Sequence, residues 1–214
     1  MTKKDNLIIF DYDGTLADTF DMNLKIINGF ADRINLKQLT KKEFVEMNAK
    51  NPFDGFKDFG LTKKDIELFL ILFQRESLKS TNLPKLFPNL KPVIKKISND
   101  SELIVVTSNL TKVAQKFLKY HKIDQYFSDV LGADKEKSKV KKIKKLIQTH
   151  KSQNIIYIGD TIGDILETKR AKCQIISVSW GYFPLRMLKS AKPDFIVKKP
   201  QDLITIIDKH IKNS

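Results

Sequence analysis

The sequence of 214 residues predicts an α/β fold, in which a doubly wound, mostly parallel sheet forms the core and an all-helical cap domain is inserted into it. Three observations predict this arrangement. Short apolar runs of strand length recur along the chain, segments with the apolar spacing of helices separate most of them, and one long stretch near the N-terminus has helical patterns only. Strands and helices that alternate in this way form parallel sheets with helices on both faces.

Five apolar runs have the length of buried parallel strands. They cover residues 7–10, 103–106, 155–158 and 175–178, with a weaker pattern at Phe195–Val197. We therefore expect a Rossmann-like core in which helices separate most of these strands. Apolar residues three and four positions apart mark the helices at Val113, Phe117 and Leu118, at Ile143, Leu146 and Ile147, and at Leu203, Ile206 and Ile207.

One stretch breaks the alternation, because between about residues 16 and 87 the sequence has helical segments and no strand run. We expect residues 17–83 to form the helical cap and residues 1–16 with 84–214 to form the core. A loop at residues 51–55 would divide the cap. Three capping-box signatures, which satisfy free backbone N–H groups at helix starts, pair Thr15 with Asp18, Thr40 with Glu43 and Thr62 with Asp65.

Lysine and arginine total 39 against 25 aspartate and glutamate residues, which gives a formal net charge of +14. Such an excess can indicate a nucleic-acid partner. The densest run, residues 135–145, carries seven lysines, but apolar residues interrupt it at helical spacing, as on the solvated face of a helix. Arginines are few, and basic residues do not alternate with aromatic ones. The charge therefore favours attraction of small anionic substrates over nucleic-acid binding as the main function.

The sequence also argues against a membrane or disulfide-bonded protein. No apolar run approaches the roughly 20 residues of a membrane helix. The first apolar run has four residues, too few for the core of a secretory signal, so we expect a cytoplasmic protein. Cys173 is the single cysteine, which excludes an internal disulfide framework and a cysteine-based zinc site. Monomer and homodimer both stay open.

Polar side chains follow three of the predicted strands where each strand ends. In open α/β sheets, ligands bind outside the carboxyl ends of the strands. Buried carboxylates are costly unless they are paired or bound to a metal, and carboxylates without His or Cys suit Mg²⁺. The hydroxyl and amide groups can donate hydrogen bonds to phosphate oxygens. The residues are Asp11 and Asp13 after the first strand, Thr107, Ser108 and Asn109 after the second, and Asp160 and Asp164 after the third.

These residues carry a resemblance to the haloacid dehalogenase superfamily. The sequence Asp-Tyr-Asp-Gly-Thr-Leu at residues 11–16, after an apolar strand, resembles the first motif of that superfamily. Thr107 at a strand end resembles the second motif, and Asp160 with Asp164 in Gly-Asp-x-x-x-Asp resembles the fourth. The resemblance covers essentially the whole chain, including a helical cap after the first motif. It implies an α/β hydrolase that acts on small phosphorylated metabolites.

The resemblance implies a role for each matching position. Asp11 would be the nucleophile and would form an aspartyl-phosphate. Asp13 would be the general acid for the leaving oxygen and then the base for the incoming water. Thr107 would bind the transferring phosphoryl group. Mg²⁺ would be held by Asp11, the backbone carbonyl of Asp13 and Asp160, with Asp164 supporting these ligands.

The third motif of the superfamily is a lysine, and the lysine-rich segment offers several candidates. If Ser138 is the N-cap of the following helix, Lys139 lies in the first turn, four residues before the apolar Ile143. That phase places Lys139 near the buried face, whereas Lys137 points less well. We therefore predict Lys139 as the lysine that offsets the charge of Asp11 and binds phosphate, with Lys137 as the alternative.

The sequence as a whole predicts a magnesium-dependent phosphatase of a small phosphate monoester, similar to phosphoglycolate phosphatase. Asp13 favours phosphate esters as substrates over haloalkanoates. Superfamily members that hydrolyse haloalkanoates have a different residue at this position, because their reaction has no oxygen leaving group that needs an acid. A phosphomutase of the same superfamily is the alternative, and a basic nucleic-acid-binding module is a less favoured one. Asn48, Lys50 and Asn51 in the cap are candidates for setting substrate specificity.

Overall fold

A computed structural model describes residues 6–49, 52–79, 83–150 and 154–212. In chain order the elements are β1 (Asn6–Phe10), β2 (Ala17–Asp18), α1 (Phe20–Asn28), α2 (Lys41–Met47), α3 (Pro52–Asp58), α4 (Lys63–Lys79), β3 (Lys85–Leu86), α5 (Leu90–Asp100), β4 (Ser101–Val106), α6 (Thr111–Tyr120), β5 (Asp129–Leu131), α7 (Lys139–Thr149), β6 (Asn154–Gly159), α8 (Ile162–Ala171), β7 (Gln174–Val178), α9 (Leu185–Ser190), β8 (Phe195–Val197) and α10 (Asp202–Lys212). Short 3₁₀ turns lie at Ala31–Ile34 and Asp124–Tyr126.

The core is a six-stranded sheet with the order β5-β4-β1-β6-β7-β8, and every neighbouring pair in it is parallel. All five predicted strands are present, four of them one or two residues longer than predicted. The predicted Rossmann-like α/β class is therefore confirmed. The sequence did not predict β5, because this three-residue edge strand buries only Val130 and leaves no apolar run to detect.

The sheet is covered on both faces, as β1 illustrates. All five β1 residues are buried, and alternate side chains enter different apolar clusters. Leu7 and Ile9 pack with residues of α7 and α8, whereas Ile8 and Phe10 pack with residues of α5, α6 and α10. The apolar side chains of the inserted helices α1, α2, α3 and α4 join the first of these clusters. The insertion therefore packs continuously with one face of the core.

The insertion differs from the prediction at its base and in its middle. β2 and β3 pair antiparallel, with Ala17 opposite Leu86 and Asp18 opposite Lys85, so the stretch from 16 to 87 contains two short strands. The predicted loop at 51–55 is replaced from Pro52 onward by α3, in which proline occupies the first helical position, where no intrahelical N–H bond is needed. The boundaries predicted for the core and the cap stay a prediction.

Two of the three predicted capping boxes form. The hydroxyl oxygens of Thr40 and Thr62 each accept a hydrogen bond from the backbone N–H of the acidic residue three positions on. The carboxylate of that acidic residue accepts one from the backbone N–H of the threonine. The box at Thr15 is wrong, because β2 follows it and α1 begins only at Phe20. None of the helices in the described ranges has both the length and the apolar character needed to cross a membrane.

Candidate active site

The three strand ends singled out in the sequence lie next to one another. β1 pairs with β4 on one side and with β6 on the other, so their carboxyl ends meet at the centre of the sheet. Asp11, Thr107 and Asp160 are the first residues beyond these strands. The Asp11 N–H still donates to the Ile158 carbonyl at 2.8 Å, which fixes the start of the loop after β1. The sheet itself thus assembles the site.

Three carboxylates form a buried group at this edge. Asp11, Asp160 and Asp164 are exposed to only 4%, 0% and 1%, and one oxygen from each lies within 4.8 Å of the others. Burial raises the pKa of Asp11 well above its usual value, and repulsion from Asp164 and Asp160 adds to it, against the opposing effect of Lys139. Burial and repulsion from Asp164 raise the pKa of Asp160 to about 8.

This group fits a divalent cation of the Mg²⁺ type. Every donor in it is a carboxylate oxygen, the ligand that hard cations prefer. Repulsion among the three buried carboxylates would be relieved by a positive charge between them. Asp164 is the most occupied of the three: Oδ1 accepts from Lys139 and Tyr157, and Oδ2 accepts from the backbone and hydroxyl of Thr161. Asp11 and Asp160 are therefore better placed as direct ligands, with Asp164 behind them.

Asp13 lies beside this group and has different partners. Its Oδ1 accepts a hydrogen bond of 3.1 Å from the Asn23 amide, and its Oδ2 accepts one of 3.4 Å from the Asn109 amide. Burial raises the pKa of Asp13, whereas hydrogen bonds from Thr19, Asn23 and Asn109 oppose the rise. A carboxyl group with a raised pKa is suited to holding a proton and giving it to a leaving group.

Glycine is required between Asp13 and the third strand end. Gly14 has a φ of +74°, in the left-handed region that other residues rarely adopt. A Cβ atom at this position would collide with the Asp160 carboxylate and the ring of Tyr182. The loop after β1 can therefore pass close to Asp160 only because residue 14 has no side chain.

The residues after β4 line the same cavity as the carboxylates. Thr107 is fully buried, and its Oγ1 accepts a hydrogen bond of 2.9 Å from the Asn109 N–H. Ser108 is exposed, and Asn109 is buried with its amide directed to Asp13. Lys142 stabilises this turn, because its Nζ donates hydrogen bonds to the carbonyls of Thr107 and Gly132 at 2.6 and 3.3 Å.

The structure brings Lys139 to the carboxylates and leaves Lys137 exposed to solvent. Ser138 is the N-cap of α7, as predicted, since its side chain accepts from the Lys141 N–H. The Nζ of Lys139 lies 3.0 Å from Oδ2 of Asp11 and 2.8 Å from Oδ1 of Asp164. Burial disfavours the charged ammonium, but the two carboxylates outweigh it and hold the pKa of Lys139 well above its usual value. Lys139 is therefore protonated.

Several further residues at the site were not predicted. Thr15, expected to cap a helix, donates its hydroxyl to Asp160 at 3.1 Å. The Tyr182 N–H donates to the other Asp160 oxygen at 2.7 Å, and its hydroxyl bonds Thr19 and Asn23. One sequence signal could have revealed Asn23. It is a polar residue four positions before Ile27, on the face of α1 that is otherwise apolar, and it is buried in the structure. Lys50 and Asn51, two specificity candidates, lie outside the described residues, whereas Asn48 lines the cavity.

Comparisons with known proteins match nearly the whole chain. A family model described as haloacid dehalogenase-like hydrolase matches residues 8–178. A phosphoglycolate phosphatase of Aquifex aeolicus is 28% identical over 96% of this chain and 98% of its own length. A pyrophosphatase of Oceanobacillus iheyensis is 26% identical over 94% of this chain and 95% of its own. A haloacid dehalogenase-like hydrolase from Streptococcus pneumoniae has the same fold, with a TM-score of 0.78 at 24% identity, covering 94% of this chain and 97% of that one.

Proposed function

The chain belongs to the haloacid dehalogenase-like hydrolase family, and from this premise we propose that it is a magnesium-dependent phosphatase of small phosphate monoesters. The observation that carries the proposal is the position of Asp11. Its carboxylate lies in a group of three buried carboxylates at the centre of the sheet edge and contacts the ammonium of Lys139. A carboxylate nucleophile, a nearby acid in Asp13 and hydrogen-bond donors after β4 are the parts that phosphoryl transfer through an aspartyl-phosphate requires.

The reaction would proceed in two steps. An oxygen of Asp11 attacks phosphorus, and a bond to Asp11 forms as the bond to the ester oxygen breaks. Asp13 gives its proton to that oxygen, so the alcohol leaves neutral. Ionised Asp13 then takes a proton from a water molecule, whose oxygen attacks the same phosphorus and frees the Asp11 carboxylate. The products are the alcohol and inorganic phosphate.

Other side chains would stabilise the charges of this reaction. Lys139 opposes the rise that burial causes in the pKa of Asp11, and it would balance the charge of the phosphoryl oxygens. Thr107, Ser108 and Asn109 line the cavity and would donate hydrogen bonds to those oxygens. Mg²⁺, when bound by Asp11, Asp160 and the backbone carbonyl of Asp13, would neutralise part of the charge on the phosphate.

The proposal is tested by measuring phosphate release from a panel of small monoesters in Mg²⁺ and in chelator. We expect release in Mg²⁺, a loss in chelator, and recovery when Mg²⁺ is restored but not when sodium chloride of equal ionic strength is added. Full activity in chelator would contradict the metal dependence. The phosphomutase alternative predicts a rearranged sugar phosphate with no free phosphate, so sugar phosphates in the panel distinguish the two reactions.

Metal binding can be tested apart from activity. Mg²⁺ at about 100 times its dissociation constant should stabilise the folded protein by roughly 2.7 kcal/mol, measured as a rise in melting temperature. Asp160→Asn should abolish most of this rise, because one of the three buried carboxylates is lost. The exposed Asp18→Asn is the matched control and should keep the rise in full. An equal rise in both variants would contradict Asp160 as a ligand.

The role of Asp13 predicts a dependence on the leaving group. In Asp13→Asn, hydrolysis of an alkyl phosphate should fall by about 10² to 10⁴-fold, because no acid protonates the departing oxygen. The nitrophenolate of 4-nitrophenyl phosphate departs without a proton, so the transfer of the phosphoryl group to Asp11 should remain fast. Hydrolysis of the aspartyl-phosphate should slow, because the variant has no base to take the proton of the water molecule. Rapid-mixing absorbance should then show a burst of about one equivalent of nitrophenol before slow turnover. An equally slow first step with both esters would contradict this role.

A further inference from the structure

We propose that the substrate's leaving group is apolar and uncharged, so that the protein hydrolyses small alkyl or aryl phosphates in preference to phosphates whose leaving group is an anion. This inference rests on the proposed function and specifies its substrate class. Its basis is the apolar wall of the active-site cavity that faces the carboxylates. Relatives of this chain are named for phosphoglycolate and pyrophosphate, whose leaving groups carry a carboxylate and a second phosphate.

The active-site cavity has a volume of about 170 Å³ and two chemically different sides. Its polar side is formed by the residues at the strand ends together with Lys139. Its other side is formed by the inserted helices, each of which contributes at least one large apolar side chain. These side chains are Ile27 from α1, Phe44 and Met47 from α2, Phe56 from α3, and Phe69, Leu70 and Phe73 from α4.

The apolar wall is packed into the protein and held in place. Phe44, Met47, Phe56 and Phe69 are all buried. Phe56 and Phe69 are in ring contact with centroids 4.3 Å apart, and Phe73 stacks on Phe69 at 5.7 Å. These contacts fix the wall, so that a bound leaving group would meet carbon atoms. The cavity of about 170 Å³ also has to hold the phosphoryl group, so the leaving group must be small.

The charges of the lining residues would oppose an anionic leaving group. Among the described lining residues the one cation is Lys139, and its ammonium already contacts Asp11 and Asp164. Glu167 also lines the cavity and is acidic. A second negative charge on the substrate would therefore lose its water without gaining a free cation from the described lining residues, which is unfavourable unless the charge is paired.

The polar groups of the insertion do not change this conclusion. Two amides, Asn23 and Asn48, line the cavity among the apolar residues. The Asn23 amide nitrogen donates to Asp13 and to the Tyr182 hydroxyl. The Asn48 amide nitrogen donates to the Phe44 carbonyl at 2.7 Å. Both amides therefore already serve the protein as donors, and neither supplies a positive charge.

The test compares two substrates of similar shape and different charge. Phosphoglycolate and isobutyl phosphate differ in that a carboxylate is replaced by an isopropyl group of similar size. In wild-type protein with Mg²⁺, we expect kcat/KM for isobutyl phosphate to exceed that for phosphoglycolate at least about tenfold, the discrimination expected of a hydrophobic pocket. Phenyl phosphate should also be preferred over pyrophosphate. Equal values, or a preference for phosphoglycolate, would overturn the inference.

A positive charge placed in the cavity should reduce the preference. Asn48→Lys adds a cation at a half-buried lining position, and it should raise the ratio of phosphoglycolate to isobutyl phosphate kcat/KM about tenfold. Leu78→Lys adds the same charge at a 49% exposed position of α4 outside the lining, and it should leave the ratio unchanged. Equal ratios in the two variants would overturn the inference.

The outcomes separate this inference from the proposed function. Phosphate release from any of the three monoesters supports the phosphatase activity, even when phosphoglycolate proves to be the best of them or pyrophosphate is hydrolysed faster. In that case only the inference on the leaving group is overturned. Absence of release from every substrate of the panel, in folded protein with Mg²⁺, overturns both. The wild-type comparison decides the inference by itself if Asn48→Lys fails to fold.

Discussion

Asp11→Asn is expected to lower phosphate release by at least about 10⁴-fold, because the variant has no carboxylate to form the aspartyl-phosphate. The amide has nearly the same shape as the carboxylate, and the site should keep its geometry. Release is measured with Mg²⁺ on the best ester of the panel. In parallel, wild-type protein quenched in acid during turnover should carry a phosphoryl group on the peptide that contains Asp11, as detected by mass spectrometry.

The variant should remain folded, which makes the loss of activity interpretable. Burial and repulsion from Asp164 and Asp160 raise the pKa of Asp11, so a neutral side chain relieves the repulsion at this position. Lys139 keeps its second partner, Asp164. The control is Asp18→Asn, an exposed aspartate seven residues on, which should retain full activity. Retention of a tenth or more of the activity by Asp11→Asn would exclude Asp11 as the nucleophile.

The fold and the central residues of the site could be predicted from the sequence for one physical reason. A buried parallel strand requires apolar side chains on both faces, which makes it visible as an apolar run. The first polar residues after such runs lie at the same edge of the sheet, and Asp11, Thr107 and Asp160 follow this rule. Their mutual proximity thus follows from local sequence patterns and from the regular geometry of a parallel sheet.

The elements that were missed depend on partners far away in the sequence. β2 has two residues and exists because Ala17 pairs with Leu86, 69 positions later, so no local periodicity marks it. The same holds for side chains. Tertiary packing brings the Thr15 hydroxyl to Asp160 and the Asn23 amide to the Tyr182 hydroxyl, and each pair forms a hydrogen bond. The neighbouring sequence predicted Thr15 as a helix cap, but in the structure its hydroxyl donates to Asp160, 145 positions later.

The lysines of α7 show where helical phase suffices and where it does not. Phase separated Lys139 from Lys137, because a residue four positions before the buried Ile143 lies on the same face. Phase did not reveal Lys142, one position before Ile143, which is buried beneath the turn after β4 and bonds two backbone carbonyls. The acceptors for its ammonium are the carbonyls of the first residues after β4 and β5, and β5 was not predicted.

Lys139→Met should lower kcat/KM by about 10² to 10³-fold, the effect typical of removing a group that stabilises charge in a transition state. Methionine keeps much of the length and volume of lysine but has no charge. Asp11 and Asp164 then lose the ammonium at 3.0 and 2.8 Å, and Asp11 loses the main influence that lowers its pKa. The nucleophile is therefore less ionised, and the phosphoryl oxygens lose a cation.

The same substitution should also destabilise the protein, because breaking a buried ion pair typically costs about 3–5 kcal/mol in the free energy of unfolding. Urea unfolding in chelator measures this loss without a contribution from metal binding. Lys137→Met is the matched control at an exposed position two residues earlier, and its stability should change by at most about 0.5 kcal/mol. Because both substitutions remove one positive charge from the start of α7, a difference between them isolates the contact with Asp11 and Asp164. Equal losses of activity in both variants would contradict Lys139 as the lysine of the site, and loss in Lys137→Met alone would assign that role to Lys137.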